Sequence, residues 1–182
     1  DNNTVVKFDV PNTENKNKKQ TITSHSKTDS FGRKQFDELQ LGTGFVSRQF
    51  SYMPGAITDA HKENKKIKST ATTQLVSQIS LSDGRTISYE YDDEERIIKV
   101  IDSVNGTADY TYDALGQLLT EKVNDKIVNT MTYDNYGNII SKNGKQYCYD
   151  ETWHDLLTCY NGQEITYDAQ GNPTTYLGHN LT

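Results

Sequence analysis

The segment Tyr110-Thr111-Tyr112-Asp113-Ala114-Leu115-Gly116 and its copies carry the main structural signal of this chain. The pattern is an apolar residue, any residue and a tyrosine before an aspartate, with a glycine three positions after that aspartate. It recurs at Asp134 and Asp168, while copies at Asp92 and Asp150 lack the glycine. The five tyrosine-aspartate pairs are separated by 21, 21, 16 and 18 residues, so the chain contains an internal repeat. A diverged copy, Asp29-Ser30-Phe31-Gly32, lies upstream.

Aspartate and glycine at this spacing predict a particular turn. Aspartate at the first position of a type I turn accepts hydrogen bonds from the backbone ahead of it, and glycine at the fourth position adopts the left-handed conformation that closes a hairpin with a bulge. Each copy should therefore be a strand that ends in such a turn.

A second set of turn signals alternates with the first. A two-residue type I′ turn needs positive φ at both positions, which Asn-Gly and Asp-Gly tolerate best. From Leu75 onward we therefore expect an all-β fold of consecutive antiparallel hairpins, with no sustained helical periodicity. The predicted type I′ turns are Asp83-Gly84, Asn105-Gly106, Asn124-Asp125, Asn143-Gly144 and Asn161-Gly162.

The composition predicts a thin, tyrosine-rich sheet. The chain has 12 Tyr, 5 Phe and 33% hydrophobic residues, with a mean hydropathy of −0.81, which is a poor supply for a thick core. Tyrosine and threonine suit a half-buried pleated surface. A long sheet of many strands must curl, so we expect a curved meander.

The repeat resembles the tyrosine-aspartate (YD) repeat of the Rhs proteins, which also occurs in teneurins, bacterial wall-associated proteins and the shell subunits of insecticidal toxin complexes. The stretch from Trp153 to Thr174 is similar to the end of such repeat arrays. The resemblance covers residues 72–178 well and is weaker upstream. The turns at Asp92, which lacks glycine, and at Asp150, which carries one extra residue and no glycine, should be altered.

The resemblance implies a β-spiral shell in a large secreted or cell-surface protein, wall-associated or of the bacterial polymorphic-toxin type. Such a shell often encloses a toxic C-terminal domain, so neighbouring repeats and that domain are the expected partners. The chain starts at Asp1 without an initiator methionine, signal peptide or transmembrane run, and we expect a piece of a longer protein, near the C-terminal end of its array.

The first 70 residues are less regular. We predict four strands here: Val5 to Val10, Thr21 to Ser26, and Lys34 to Leu41 paired with Phe45 to Tyr52. We predict polar loops at Pro11 to Gln20 and Asp59 to Lys68. No linker separates this region from the regular repeats of residues 71–182. We therefore expect one domain over residues 1–182.

No catalytic, cofactor or metal site is indicated. The four histidines are scattered, and the acidic run from Asp92 to Glu95 lacks the glycine that calcium loops interleave with their ligands. A net charge of −6 argues against a nucleic-acid partner or an anionic membrane surface. The residues expected to matter are structural: Tyr91, Asp92, Tyr112, Asp113, Gly116, Tyr133, Asp134, Gly137, Tyr149, Asp150, Tyr167, Asp168 and Gly171.

The two cysteines are expected to be free thiols. If Leu156 and Leu157 correspond to Leu118 and Leu119, Cys148 faces Leu157 and lies diagonal to Cys159. Diagonal neighbours are about 7–8 Å apart, beyond the ~4.4–6.8 Å between bridged Cα atoms. A register shift at the irregular Trp153-His154 turn would permit a disulfide, which a secreted setting allows.

Two classes of function follow. In the first, the repeats are a non-catalytic scaffold whose tyrosines pack between strands. In the second, exposed tyrosines bind a cell-surface glycan or a protein, as in an adhesin. We favour the scaffold, because a tyrosine fixed at one place in every hairpin is better explained by packing. The hypothesis that the chain is an enzyme has the least support, because the sequence does not offer a nucleophile, a base and an orienting group together. Tyrosine exposure separates the first two.

Overall fold

The computed structural model describes residues 2–11, 19–55 and 72–181 of the 182-residue chain. Every regular element in these ranges is a β-strand, so the predicted all-β fold is confirmed. The strands follow one another as antiparallel hairpins. The chain divides into two compact units, residues 1–106 and 107–182.

The first unit is a meander in which each strand pairs with the next one. The four strands expected before residue 70 are present, and the third and fourth of them meet at a two-residue turn where Gly42 has a φ of 59°. The second predicted loop, Asp59 to Lys68, lies outside the described residues. The first, Pro11 to Gln20, is wrong at both ends, because Pro11, Lys19 and Gln20 lie in paired strands, and its residues 12–18 lie outside the described residues. The strands are β1 (Asn2–Pro11), β2 (Lys19–Thr28), β3 (Lys34–Leu41), β4 (Gly44–Pro54), β5 (Thr72–Leu81), β6 (Thr86–Tyr91) and β7 (Ile97–Asp102).

The second unit repeats the same arrangement with shorter strands. Its main sheet is followed by a separate two-stranded hairpin. The main strands are β8 (Gly106–Tyr112), β9 (Leu118–Val123), β10 (Lys126–Tyr133), β11 (Ile139–Lys142), β12 (Lys145–Tyr149), β13 (Leu157–Tyr160) and β14 (Gln163–Glu164), and the hairpin is β15 (Thr175–Tyr176) with β16 (His179–Asn180).

The core is as thin as the composition indicates. Among the described residues, only the side chains of Met131 and Ile165 count as buried hydrophobics, at 8% and 4% exposure. Most other apolar side chains on the strands are half-buried. The sheet is therefore stabilised by its backbone ladder, by cross-strand pairs and by its turns.

In the part of the chain that the structure describes, no helix is long and apolar enough to cross a membrane.

Candidate functional site

The repeated turns, called here the aspartate turns, share one hydrogen-bond pattern. At Asp134, the backbone N–H donates to the carbonyl of Asn138 (3.0 Å), and the N–H of Gly137 donates to the carbonyl of Asp134 (3.2 Å). The Asp134 Oδ1 atom accepts from the N–H groups of Tyr136 (2.8 Å) and Asn138 (2.9 Å). The same four bonds form in the turns that begin at Asp29, Asp92, Asp113 and Asp168.

The second carboxylate oxygen binds the side chain four positions later. In the first unit that partner is a cation, because Arg33 and Arg96 each donate Nε to Oδ2 of their turn aspartate at 2.7 Å. In the second unit it is a neutral amide, from Asn138 at 2.9 Å or Asn172 at 3.0 Å. The bonds from Asn172 and the turn backbone hold the pKa of the Asp168 carboxyl below its usual value.

Glycine is not essential to this turn, and the expectation of an altered turn at Asp92 is wrong. Glu95 occupies the glycine position with a φ of 63°, in the left-handed region where Gly116 and Gly137 have 82° and 90°. All four backbone bonds of the turn are kept. The left-handed conformation of Glu95 costs free energy in a residue other than glycine. In the same turn, Arg96 binds the carboxylates of Asp92 and Glu94.

The turn at Asp150 is altered, as expected, and is called here the long turn (residues 150–156). The Asp150 N–H donates to the carbonyl of Leu156 (2.9 Å), six positions on instead of four. His154 takes the left-handed position with a φ of 60°, and Asp150 Oδ1 accepts from the N–H groups of Thr152 and Trp153, both at 2.8 Å. Leu156, whose carbonyl accepts the bond that closes the long turn, thus lies two positions later than the equivalent residue of the aspartate turns.

The turns at the opposite strand ends, called here the return turns, match the prediction in part. Both residues have positive φ in Asn124-Asp125, Asn143-Gly144 and Asn161-Gly162, as a type I′ turn requires.

The type I′ predictions at Asp83-Gly84 and Asn105-Gly106 are wrong. In each pair only the glycine has positive φ. The Leu81 N–H donates to the carbonyl of Arg85 (2.8 Å), which closes a three-residue turn around Gly84. At the other site the Asp102 carboxylate accepts from the N–H groups of Val104 and Asn105, so an upstream aspartate directs the turn.

Two asparagines in the return turns extend the sheet ladder, a role that the sequence analysis missed. The Asn124 N–H donates to the carbonyl of Thr107 (2.8 Å), and Asn124 Oδ1 accepts from the Thr107 N–H (2.9 Å). Asn143 makes the same pair of bonds with Thr130, at 3.0 and 2.8 Å. An asparagine at the first position of each of these turns is the signal that could have identified them.

The repeat tyrosines bind backbone carbonyls on neighbouring strands. Each ring is half-buried, and burial raises the pKa of the Tyr91, Tyr133 and Tyr149 hydroxyls above the usual value. The observed donations are Tyr91 to Val76 (2.8 Å), Tyr133 to Leu118 (2.8 Å), Tyr149 to Ile139 (3.0 Å), Tyr167 to Leu157 (2.7 Å) and, in an upstream copy, Tyr52 to Lys34 (2.7 Å).

The expectation of free thiols is wrong, because Cys148 and Cys159 form a disulfide with a Cα to Cα distance of 4.8 Å. Tyr149 pairs with Leu157 rather than Leu156, and a bulge after Cys148 shifts the register again. Together the two shifts place Cys159 directly opposite Cys148. The bridge therefore ties β12 to β13 at the base of the long turn.

The described residues around these turns contain no cluster that could hold a metal ion. Among residues 2–11, 19–55 and 72–181, no three His, Cys, Asp or Glu side chains lie close enough to hold a metal ion. In the acidic run, the carboxylates of Asp92 and Glu94 both bind Arg96. The arrangement supplies hydrogen bonds that fix turns and join strands.

Comparison with known proteins identifies the repeat. Residues 4–182 match the family described as Teneurin YD-shell. Among solved structures, the chain is similar to one in a crystal structure of TcdB2-TccC3-Cdc42, with 15% identity and a TM-score of 0.44 over 85% of this chain and 11% of that one. It is also similar to a chain in the Photorhabdus luminescens Tc holotoxin pore, with 15% identity and a TM-score of 0.40 over 85% and 11%. No curated protein matches the chain in sequence.

Proposed function

Because the chain belongs to the Teneurin YD-shell family, we propose that it is a non-catalytic scaffold in the repeat region of a larger protein. The observation that carries this proposal is the recurring bond from a repeat tyrosine hydroxyl to a backbone carbonyl of a neighbouring strand. Since the hydroxyl is bound within the chain and the ring is half-buried, we expect the repeat tyrosines to hold neighbouring strands together rather than to form a common ligand-binding face.

We further propose that this chain is one part of a larger parent protein. Residues 1–182 form one repeat array, with diverged repeats over residues 1–70 and regular ones from 71 onward. The parent is a secreted or cell-surface protein, wall-associated or of the polymorphic-toxin type, whose shell encloses or presents a C-terminal toxin domain. The tyrosine-aspartate pairs and glycines predicted from the sequence are its structural residues. The shared turn geometry supports that role.

An alkaline titration followed by tyrosinate absorbance tests the scaffold role. Tyr91, Tyr133 and Tyr149 have raised pKa values in the folded chain. Their contribution to stability is therefore complete below the unfolded pKa of about 10 and is lost as the pH rises through the folded values. We expect a late group of tyrosines that ionises together with loss of the far-ultraviolet β signal. Ionisation of all twelve tyrosines in one reversible step, with the fold retained, would contradict the proposal.

A further inference from the structure

The long turn stands apart from the repeated architecture. It carries Trp153, the one tryptophan of the sequence, and leaves that side chain 73% exposed. Residues that recur in every hairpin are explained by packing, but Trp153 recurs in none. An exposed tryptophan is a common anchor of protein interfaces.

The long turn is held in place by the neighbouring hairpin and by the disulfide. The side-chain amide of Asn138 donates to the carbonyl of His154, and the His154 ring stacks on Tyr136 with centroids 4.1 Å apart and an interplanar angle of 11°. The bridge between Cys148 and Cys159 closes its base. A pre-organised surface of this kind loses little conformational freedom when it binds a partner.

A cavity lies on each side of the long turn, and both combine aromatic walls with carboxylates. The first, of about 310 Å³, is lined in part by Tyr136, Tyr147, Asp134, Asp150 and Glu151. The second, of about 340 Å³, is lined in part by Trp153, Tyr167, Asp155 and Asp168. Neither cavity is lined by a lysine or an arginine.

No lysine or arginine cancels the negative charge of these cavities within the turns, and His154 beside Asp150 is the one basic residue in their lining. In the first unit, Arg33 and Arg96 neutralise the aspartates of their own turns. At the corresponding place Asp134 and Asp168 have the neutral partners Asn138 and Asn172. Within the described residues, the carboxylates of Glu151 and Asp155 form no ion pair. Their charge is therefore available to a cation from outside.

We propose that the long turn and its two cavities form a docking site for an arginine-bearing segment of a partner protein. A guanidinium is planar, stacks on aromatic faces and binds carboxylates through two parallel hydrogen bonds. It therefore matches both the aromatic walls and the uncancelled charge. A neutral sugar would use only the aromatic walls. This role goes beyond the scaffold function and does not depend on it.

Titration of Trp153 fluorescence with a hexa-arginine peptide tests the proposal, with hexa-citrulline as the uncharged peptide of similar shape. We expect saturable binding of hexa-arginine that added salt weakens, and no saturable binding of hexa-citrulline or of methyl glycosides. The double variant Glu151→Gln/Asp155→Asn should bind about tenfold more weakly, since exposed ion pairs contribute modestly. Trp153→Ala, followed by calorimetry, should lose roughly 30-fold in affinity.

The charge-matched control is Glu90→Gln/Asp93→Asn, which removes two exposed carboxylates from the first unit. Its affinity for hexa-arginine should equal that of the unmodified chain. Equal weakening in both double variants would show general charge attraction and overturn the site. Equal binding of hexa-citrulline or of a methyl glycoside, or no saturable binding of hexa-arginine, would also overturn it. Far-ultraviolet circular dichroism of each variant confirms that the sheet is intact.

Discussion

The hydroxyl of Tyr133 donates a hydrogen bond of 2.8 Å to the backbone carbonyl of Leu118. Tyr133 ends one strand, and Leu118 begins the strand beside it, so one side chain joins two successive hairpins at the level of their aspartate turns. Equivalent bonds at Tyr91, Tyr149 and Tyr167 make this contact a property of the repeat. The bond explains why the repeat uses tyrosine here in place of phenylalanine.

Replacing Tyr133 by Phe should lower the free energy of unfolding by about 1 kcal/mol, the usual net value of one such hydrogen bond. The ring packing is kept, so the change removes only the hydroxyl, with its bond to Leu118 and its 3.8 Å contact to the Met131 sulfur. Chemical denaturation measures it. The matched control is Tyr136→Phe, because Tyr136 is 67% exposed and its hydroxyl makes no hydrogen bond within the described residues. Equal stability of the two variants would rule out a structural role for the Tyr133 hydroxyl.

Replacing Glu95 by Gly should stabilise the chain by roughly 0.5–1 kcal/mol. The left-handed conformation at this position costs a non-glycine residue about 1–2 kcal/mol, of which the flexibility of glycine in the unfolded chain offsets a part. The comparison is Asp93→Gly, in the same turn but without positive φ, which should destabilise by about 0.5–1 kcal/mol. A lower thermal midpoint for Glu95→Gly would show that the Glu95 side chain contributes contacts that the structure does not explain.

Acid should destabilise the fold through the turn aspartates. Bonds from Asn172 lower the pKa of Asp168, and bonds from the N–H groups of Trp153 and Thr152 lower that of Asp150. Because the folded values lie below the unfolded value of about 3.9, this stabilisation is complete above that pH and is lost as the pH falls through the folded values.

The variant Asp168→Asn should therefore lose less stability between pH 7 and pH 3 than the unmodified chain. Urea denaturation at the two pH values measures the difference. Asp93→Asn, which removes a carboxylate without turn bonds, should behave like the unmodified chain. An unchanged acid response in Asp168→Asn would exclude Asp168 from the transition.

Reducing the bridge between Cys148 and Cys159 should lower stability by roughly 2–3 kcal/mol, since it closes a short loop in the unfolded chain. Thermal denaturation with and without a dithiol reductant measures this loss of stability. The Cys148→Ser/Cys159→Ser variant should have the thermal midpoint of the reduced chain, and the reductant should not change it. An unmodified chain whose midpoint does not respond to complete reduction, checked by thiol counting, would contradict the account.

The hairpins and most turns could be predicted because their signals are local. Asp113 with Gly116, and Asp134 with Gly137, specify their turns by hydrogen bonding and allowed φ alone. The Asp92 turn could not be classified in this way, because the carboxylate of Asp92 and the side chain of Arg96 maintain the turn without a glycine. At Asn105-Gly106, Asp102 overrides the preference of the dipeptide.

The disulfide and the tyrosine bonds depend on register, which the sequence leaves open. Leu156 and Leu157 are equally suited to begin the strand after the long turn, and only the second choice, with a bulge, aligns Cys148 with Cys159. The acceptors of the tyrosine hydroxyls are backbone carbonyls, which have no signature in the sequence. The sequence shows that Trp153 is the one tryptophan of the chain, but it does not show that its side chain is exposed.

Whether the repeat tyrosines are scaffold residues is best measured by the free energies of unfolding of Tyr133→Ala and Tyr136→Ala, determined side by side by chemical denaturation. If the repeat tyrosines are scaffold, Tyr133→Ala should lose about 2–4 kcal/mol, as expected for truncating a large packed side chain. Tyr136→Ala, at an exposed turn position, should lose less than about 1 kcal/mol. A Tyr133→Ala variant as stable as the unmodified chain would contradict the scaffold account and return the repeat tyrosines to a role in recognition.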